Sequence, residues 1–116
     1  MAIRADAIAN GEKALGLAEE FGLEETAASA MDTCGAAMVS VGDVAGGIAV
    51  LREALDRAKR GDLFYEITRA SFNLGETLID TGPPELAIPV LDVGIAVAEA
   101  QELRLRRNCL LPSRAK

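Results

Sequence analysis

The sequence repeats itself at an interval of 40 residues, and this period is the feature that most limits the fold. Apolar residues recur in three copies at this spacing. The clearest sets are Ile8, Ile48 and Ile88; Leu15, Leu55 and Ile95; Ala18, Ala58 and Ala98; and Leu23, Leu63 and Leu103. A fixed period of about 20 to 50 residues is typical of repeat proteins, in which each unit buries its apolar face against the next. We therefore expect one array of stacked units.

Helical spacing dominates the apolar pattern of the whole chain. Apolar residues follow one another at intervals of three and four, and no segment alternates as a half-buried strand would. Glycine, aspartate and proline mark the ends of the helical segments. We predict an all-α fold of about five helices, at Ala2–Phe21, Glu24–Val41, Val44–Arg60, Leu63–Thr81 and from Pro83 to about Leu103. Because the loops are short, consecutive helices should be antiparallel and form hairpins.

Glycine and proline inside the predicted helices need separate explanations. Pro89 lies several residues inside the fifth helix and removes one backbone hydrogen bond, so we expect a local bend there. Gly35 and Gly75 occupy one repeat position, and a recurrent small residue indicates that the two helices of a hairpin approach closely. Gly46 has no counterpart in the other copies, and the pattern offers no reason for it beyond local tolerance.

The recurring residues resemble the signature of tetratricopeptide (TPR) repeats. The signature of that family contains the elements N-L-G, G-D, A-I and A-L. Similar residues occur in the third copy: Asn73-Leu74-Gly75, Gly82, Leu86-Ala87-Ile88, Leu91 and Gly94-Ile95. The preceding copy carries Thr33-Cys34-Gly35, Gly42-Asp43, Gly47-Ile48, Leu51 and Ala54-Leu55. The resemblance covers about residues 28 to 100. It implies antiparallel helix hairpins stacked as a right-handed TPR-like α-solenoid.

Two departures from the usual TPR pattern are visible. The 40-residue spacing exceeds the usual 34, so we expect longer helices. The large aromatic residues that normally fill the repeat are replaced by Met31, Met38, Ser71 and Leu78. Long repeats rich in Ala and Leu resemble the helical-repeat segments of large bacterial signal-transduction ATPases, especially regulators that end in a LuxR-type DNA-binding domain. This resemblance implies a regulatory segment of a larger signalling or transcription-regulating protein.

Composition excludes most kinds of active site. The sequence contains no histidine, and Cys34 and Cys109 have neither a CxxC spacing nor neighbouring ligand residues. Histidine-dependent acid–base catalysis, Ser-His and Cys-His nucleophile systems and most zinc sites are thereby excluded. Paired carboxylates such as Glu19-Glu20 accompany no nucleophile or phosphate-binding loop. We therefore expect no enzymatic activity and no cofactor or metal, and we interpret Cys34 as a buried small residue.

Charge and hydropathy restrict the partners and the compartment. Eighteen acidic and twelve basic residues give a formal net charge of −6, which disfavours binding to nucleic-acid phosphates. The N-terminal segment carries charges where a secretory signal needs an apolar core, and no apolar run approaches the length of a membrane span. Unpaired cysteines suit a reducing compartment. We predict a cytoplasmic protein that binds neither nucleic acid directly nor membranes.

The TPR resemblance also indicates where a partner would bind, because the first helix of each hairpin lines a concave groove in that family. By position, the groove residues are Ser29, Asp32, Ala36, Val39 and Ser40 in one copy and Arg69, Phe72, Asn73, Glu76, Ile79 and Asp80 in the next. Chaperone-binding members of the family hold a peptide's terminal carboxylate with a lysine and an asparagine on this helix. The corresponding positions here are Asp32 and Ala36 in one copy and Phe72 and Glu76 in the next, so this carboxylate clamp is missing. Phe72 either anchors a partner's apolar side chain or packs on the neighbouring hairpin. We expect a neutral or basic, partly apolar protein segment as the partner.

The ends of the array indicate an incomplete solenoid. A repeat domain at residues 1–103 begins with half a hairpin, and residues 104–116 form a partly irregular stub of a further copy. Such ends expose apolar surface, which points to a piece of a longer array or to self-association. The leading interpretation is a protein-interaction scaffold. The alternative is a small-molecule sensor whose ligand lies in the groove near Arg69, Asn73 and Glu76.

Overall fold

The computed structural model describes residues 2–109, with side chains described for residues 6–107. The helices are α1 (Ala2–Glu20), α2 (Glu24–Ser40), α3 (Val44–Arg60), α4 (Phe64–Thr81) and α5 (Ala87–Cys109), and a short 3-10 helix at Pro84–Leu86 precedes α5. No strand occurs between residues 2 and 109, so the all-α prediction with five helices is confirmed. In this range, no helix is both long and apolar enough to cross a membrane.

The turns that join α1 to α2, α2 to α3 and α3 to α4 share one geometry. In each turn a residue with positive φ follows the helix: Gly22 (69°), Gly42 (103°) and Asp62 (51°). The next residue then donates its backbone N–H to a carbonyl of the last helical turn, from Leu23 to Ala18 (2.8 Å), from Asp43 to Met38 (2.9 Å) and from Leu63 to Ala58 (2.9 Å). This is the Schellman arrangement, which satisfies carbonyl groups at a helix end. The predicted helix ends at these turns are therefore confirmed to within one residue.

Asp62 differs from its two counterparts because it adopts the left-handed conformation with a side chain. A Cβ in this region costs free energy that glycine avoids, although aspartate tolerates the region better than most residues. We expect Asp62→Gly to raise the free energy of unfolding by about 0.5 kcal/mol, measured by urea denaturation followed by circular dichroism. Asp56→Gly, an exposed change inside α3, should instead lower it by about 0.4 kcal/mol, the difference between the helix propensities of aspartate and glycine. Equal losses at both positions would contradict the assigned turn.

Asp43 caps the N-terminus of α3, as predicted. Its carboxylate accepts a hydrogen bond from the backbone N–H of Gly46 at 3.1 Å, which satisfies one of the free donors at the helix start. A Cβ built on Gly46 would lie 2.5 Å from Asp43 Oδ2. The structure therefore explains Gly46, for which the repeat pattern offers no reason: a side chain there would displace the capping carboxylate.

The connection between α4 and α5 departs from the repeat. Gly82 is extended, with φ −142° and ψ −167°, because the residue before a proline is disfavoured in helical conformations. Pro84–Leu86 then form the 3-10 helix and α5 begins at Ala87, so Pro89 lies in its first turn, where proline is tolerated. The expectation that Pro89 lies well inside the fifth helix is wrong. The helix also continues to Cys109, beyond the predicted end, and residues 110–116 of the predicted stub lie outside the described residues.

Repeated glycines allow the helices within each hairpin to approach closely. A Cβ built on Gly35 of α2 would lie 2.8 Å from Leu51 Cγ of α3. One built on Gly75 of α4 would lie 2.6 Å from Leu91 Cγ of α5. Real Cβ atoms do not pack at such distances, because van der Waals contact begins at about 3.5 Å. The predicted close approach at both positions is confirmed.

The apolar core lies mainly between α3 and α4, with contributions from α2 and α5. Leu51 and Leu74 are its largest fully buried apolar side chains. The buried core residues are Ala28, Leu51, Leu55, Ala58, Ile67, Ala70, Leu74, Leu78, Ala87 and Val90. The many alanines suit a core formed by closely spaced helices, since a small side chain adds little distance between two helix axes. Each helix packs against the next, and α2 also packs against α4.

Candidate protein-interaction site

A cluster of polar side chains, called here the α2–α4 polar cluster, joins these two helices. Arg69 donates from Nη1 to Ser29 Oγ at 2.8 Å and from Nη2 to Thr33 Oγ1 at 3.1 Å. Its Nε lies 3.4 Å from Asp32 Oδ2. Asn73 Nδ2 donates to the same carboxylate oxygen at 2.6 Å. Because contacts at two points along the helices join residues about one repeat apart, α2 and α4 run parallel and in register.

Two carboxyl groups belong to this cluster and are buried. Asp32 is 1% exposed and Glu66 is 6% exposed. Burial raises the pKa of Asp32, and the nearby Arg69 guanidinium and the Asn73 amide offset part of that rise. Burial also raises the pKa of Glu66, whose Oε1 lies 3.6 Å from Arg69 Nη1. Within the described part of the chain, Asp32 Oδ1 has no hydrogen-bond partner. The single Arg69 guanidinium pairs with both buried carboxyl groups, so the charge of neither is fully compensated.

Part of the predicted groove is occupied by these internal contacts. Ser29, Asp32, Arg69 and Asn73 bond to one another, and Val39 packs against the apolar core. Ala36 is half-buried on α2 and Ser40 is exposed at its end. The polar residues of this group therefore hold α2 to α4. Of the three residues proposed to contact a small molecule, the Arg69 guanidinium and the Asn73 Nδ2 already bond to side chains of α2.

The remaining predicted residues lie exposed on α4 and adjoin exposed apolar residues of α5. Phe72 is 40% exposed and Ile79 is 49% exposed, and Glu76 and Asp80 are also exposed. On α5, Ile88 is 59% exposed and Ile95 is 45% exposed. The side of the α4–α5 hairpin directed away from α3 is called here the open face, and it comprises Phe72, Glu76, Ile79, Asp80, Ile88, Asp92, Ile95 and Glu99.

The repeat shows why these apolar residues form one face. The residues one repeat before Ile79, Ile88 and Ile95 lie in the core or pack against it. The packed and exposed counterparts are Val39 and Ile79, Ile48 and Ile88, and Leu55 and Ile95. The earlier members are covered because α4 and α5 follow them, whereas no helix within residues 2–109 follows α5. The repeat positions that Ile88 and Ile95 share with Ile48 and Leu55 are visible in the sequence. The predicted groove did not include them, because the TPR resemblance implies a groove lined by first helices.

A cleft between α3 and α5 identifies the charged residues of the open face. The cleft has a volume of about 370 Å³, and its α3 side is formed by Arg52, Leu55, Asp56 and Lys59. These side chains are therefore directed towards the following hairpin. Their counterparts on α5 are Asp92, Ile95, Ala96 and Glu99, which face away from α3 by the same geometry. The two basic positions of α3 are acidic in α5.

Phe72 packs within its own hairpin, and not on the neighbouring hairpin as one of the two predictions had it. A Cβ built on Gly94 would lie 3.5 Å from Phe72 Cε1, so one edge of the ring packs against α5 of its own hairpin. The ring is still 40% exposed. A partly supported aromatic ring with an open side provides a rigid apolar contact at little entropic cost.

Within residues 6–107, the reactive and ligand-binding groups outside the polar cluster are Cys34 and scattered carboxylates. The Cys34 thiol is buried, donates to the carbonyl oxygen of Ile8 at 3.7 Å, and has a pKa raised by that burial. Its interpretation as a buried small residue is confirmed. Among the described residues, no group of His, Cys, Asp and Glu is arranged to hold a metal ion.

No protein-family model, curated protein or solved structure matches this chain. We therefore infer the function from the chain's own repeat and from the surface that the repeat leaves uncovered.

Proposed function

We propose that this chain is a protein-interaction scaffold, a TPR-like α-solenoid segment whose open face binds a neutral or basic, partly apolar segment of another protein. The proposal includes a regulatory role for the segment in a larger bacterial signalling or transcription-regulating protein of the cytoplasm. One observation carries the binding function: apolar residues that are packed in one repeat are exposed at the same positions of the next. The resemblance of the long Ala- and Leu-rich repeats supports the regulatory role.

The size of the apolar contact suits a reversible interaction. Phe72, Ile79, Ile88 and Ile95 each retain between 40% and 59% exposure. Covering what remains of such a side chain contributes about 1 kcal/mol each, from which the entropic cost of association must be subtracted. Four such side chains together contribute about 4 kcal/mol, which corresponds to a Kd of about 1 mM even before that cost is subtracted. The partner's own apolar surface and charge pairs must supply the rest, so the contact is weak and reversible, as a regulatory contact that forms and dissociates requires.

The α2–α4 polar cluster has a positioning role in this proposal. Arg69 bonds to three side chains of α2, which fixes α4 relative to the preceding hairpin. A rigid support lowers the ordering cost of binding, because the face is already formed before the partner arrives. No bond is made or broken in this function, so no catalytic residue is required.

Site-specific photocrosslinking tests the scaffold function. A benzophenone amino acid would replace exposed Ile79 of the open face, and as a matched control exposed Lys13 of α1, in the cells that naturally express the protein. We expect a crosslinked adduct of defined mass from position 79 that is absent from position 13 and is lost when Ile95→Asp is added. Adducts of equal yield from both positions, or none from position 79, would contradict the proposal.

A further inference from the structure

The packing of helix α4 shows which structural element the surface of the α2–α3 hairpin binds. It packs against both α2 and α3, so the surface of the α2–α3 hairpin holds one helix lengthwise. The apolar contacts of α4 with this core come from Ile67, Ala70, Leu74 and Leu78. Their spacing of three, four and four residues is that of a single helix face. An amphipathic helix is therefore the occupant of the established interface.

The open face continues that interface by one repeat. Helices α4 and α5 are held together through Gly75 and Leu91, as α2 and α3 are through Gly35 and Leu51. The two hairpins therefore present surfaces of similar shape, with an apolar line along each helix. Because the first surface accepts a helix, the second has the form to accept another.

The charge of the open face selects among helices. Between Arg69 and Arg104 the sequence has no basic residue. The same stretch has six acidic residues, all of them exposed: Glu76, Asp80, Glu85, Asp92, Glu99 and Glu102. Of these, Glu102 pairs with Arg106 at 2.9 Å. Asp92 and Glu99 lie on the open face beside Ile95, at positions that are Arg52 and Lys59 in the preceding copy. A face that is apolar in the centre and acidic along its edge attracts a basic helix and repels an acidic one.

The same charges argue against a second copy of this chain as the occupant. Pairing two open faces symmetrically would place acidic residues on both sides of the interface, because the charged residues of the open face (Glu76, Asp80, Asp92 and Glu99) are all acidic. Like charges at an interface cost free energy and slow association. An apolar match alone therefore does not favour a symmetric dimer.

We infer that the open face of the α4–α5 hairpin docks a basic amphipathic helix of a partner protein, with its apolar stripe on Phe72, Ile79, Ile88 and Ile95 and its lysine or arginine residues beside Asp92 and Glu99. This inference rests on the proposed scaffold function and deepens it. It names the conformation and the charge of the partner segment.

Binding of designed peptides to the full chain tests the inference. The probe is a fluorescein-labelled helical peptide of 18 residues, the length of α4, with leucine along one face and lysine elsewhere. One control peptide has the same composition in an order that destroys the stripe, and a second has glutamate in place of lysine. We expect fluorescence anisotropy to show at least tenfold tighter binding of the basic striped peptide than of either control, and weaker binding as salt is raised.

Charge-reversal variants locate the site. Asp92→Arg and Glu99→Lys, which restore the residue types of the preceding copy, should together weaken binding of the basic peptide at least tenfold. Both residues are exposed, so folding should be retained. Glu12→Lys and Glu20→Lys on α1 make the same change in total charge away from the open face and should leave affinity within about twofold, as expected for screened distant charges.

Three results would overturn the inference. They are equal affinity for all three peptides, equal weakening by the α1 control variants, and sedimentation showing a dimer that Ile95→Asp dissociates. The last result would identify a second copy as the occupant. If crosslinking from position 79 succeeds while the basic peptide does not bind, the scaffold function stands and only the basic helix is rejected. If crosslinking also fails, the scaffold function fails with it.

Discussion

Gly47→Ala should lower the free energy of unfolding by about 3 kcal/mol, although alanine is the better helix former. A Cβ on Gly47 would lie 2.7 Å from the carbonyl oxygen of Gly35 and 3.0 Å from the backbone nitrogen of Val39. Both are backbone atoms, so no change of side-chain rotamer removes the overlap. Helices α2 and α3 would have to separate, which loosens the packing around Leu51. Urea denaturation followed by circular dichroism measures the loss.

Gly16 provides the matched control for this substitution. It lies within α1, and a Cβ built there meets no atom within 4 Å. Gly16→Ala should therefore show only the gain in helix propensity and stabilise the chain by about 1 kcal/mol. If the two substitutions change stability by similar amounts in the same direction, α2 and α3 do not approach each other as closely as described.

Arg69→Met should destabilise the chain by about 2–3 kcal/mol at neutral pH, because Asp32 loses the Arg69 cation while it remains buried. The upper end of the usual range is not expected, since the Arg69 side chain is 33% exposed and water screens part of its interaction. Arg60→Met removes a surface ion pair in which the Arg60 side chain is 65% exposed, and should change stability by less than about 0.5 kcal/mol.

A double variant separates the charge from the packing of the Arg69 stem. In the Arg69→Met background, Asp32→Asn removes the uncompensated carboxylate and should recover part of the lost stability. If the double variant is as unstable as the sum of the two single variants, the pair is not coupled and the α2–α4 polar cluster does not hold the helices together as described.

The pH dependence of the Arg69→Met deficit follows from the direction of the Asp32 pKa. Burial raises that pKa and Arg69 opposes the rise, so removing Arg69 raises the folded-state pKa further. A carboxyl group with a raised pKa contributes stability below its unfolded-state pKa of about 3.9, and this contribution is lost as the pH rises through the folded-state value. The deficit should therefore be smallest in acid and grow towards neutral pH. A deficit that is constant with pH would contradict the role of Asp32.

Local features of the fold were predictable because each depends on a few neighbouring residues. Gly22 and Gly42 end helices through positive φ, and Asp43 caps the next helix with its own side chain. The spacing of apolar residues sets the helical faces. The α4–α5 connection was harder, because a helix start after two prolines is decided by competition between a 3-10 helix and an α-helix.

The groove residues could not be sorted from the sequence. Position in the repeat gives Asp32 and Phe72 the same role, yet Asp32 is 1% exposed and Phe72 is 40% exposed. The difference arises because α4 follows α2 and covers Asp32, with Arg69 reaching back to it. No periodic pattern states which neighbour a residue has after folding, since burial depends on contacts between segments that are distant in sequence.

The helices, their turns and the glycines at close approach follow from the sequence alone, because helix ends depend on a few neighbouring glycine and aspartate residues and the 40-residue period marks equivalent positions. The sequence also contained the change from basic Arg52 and Lys59 to acidic Asp92 and Glu99. Which copies of the repeated apolar residues are covered depends on the packing of the helices against one another. Ile48 and Ile88 are identical in sequence, but the first packs against the core and the second is 59% exposed, because exposure is set by the helix that packs next to a residue.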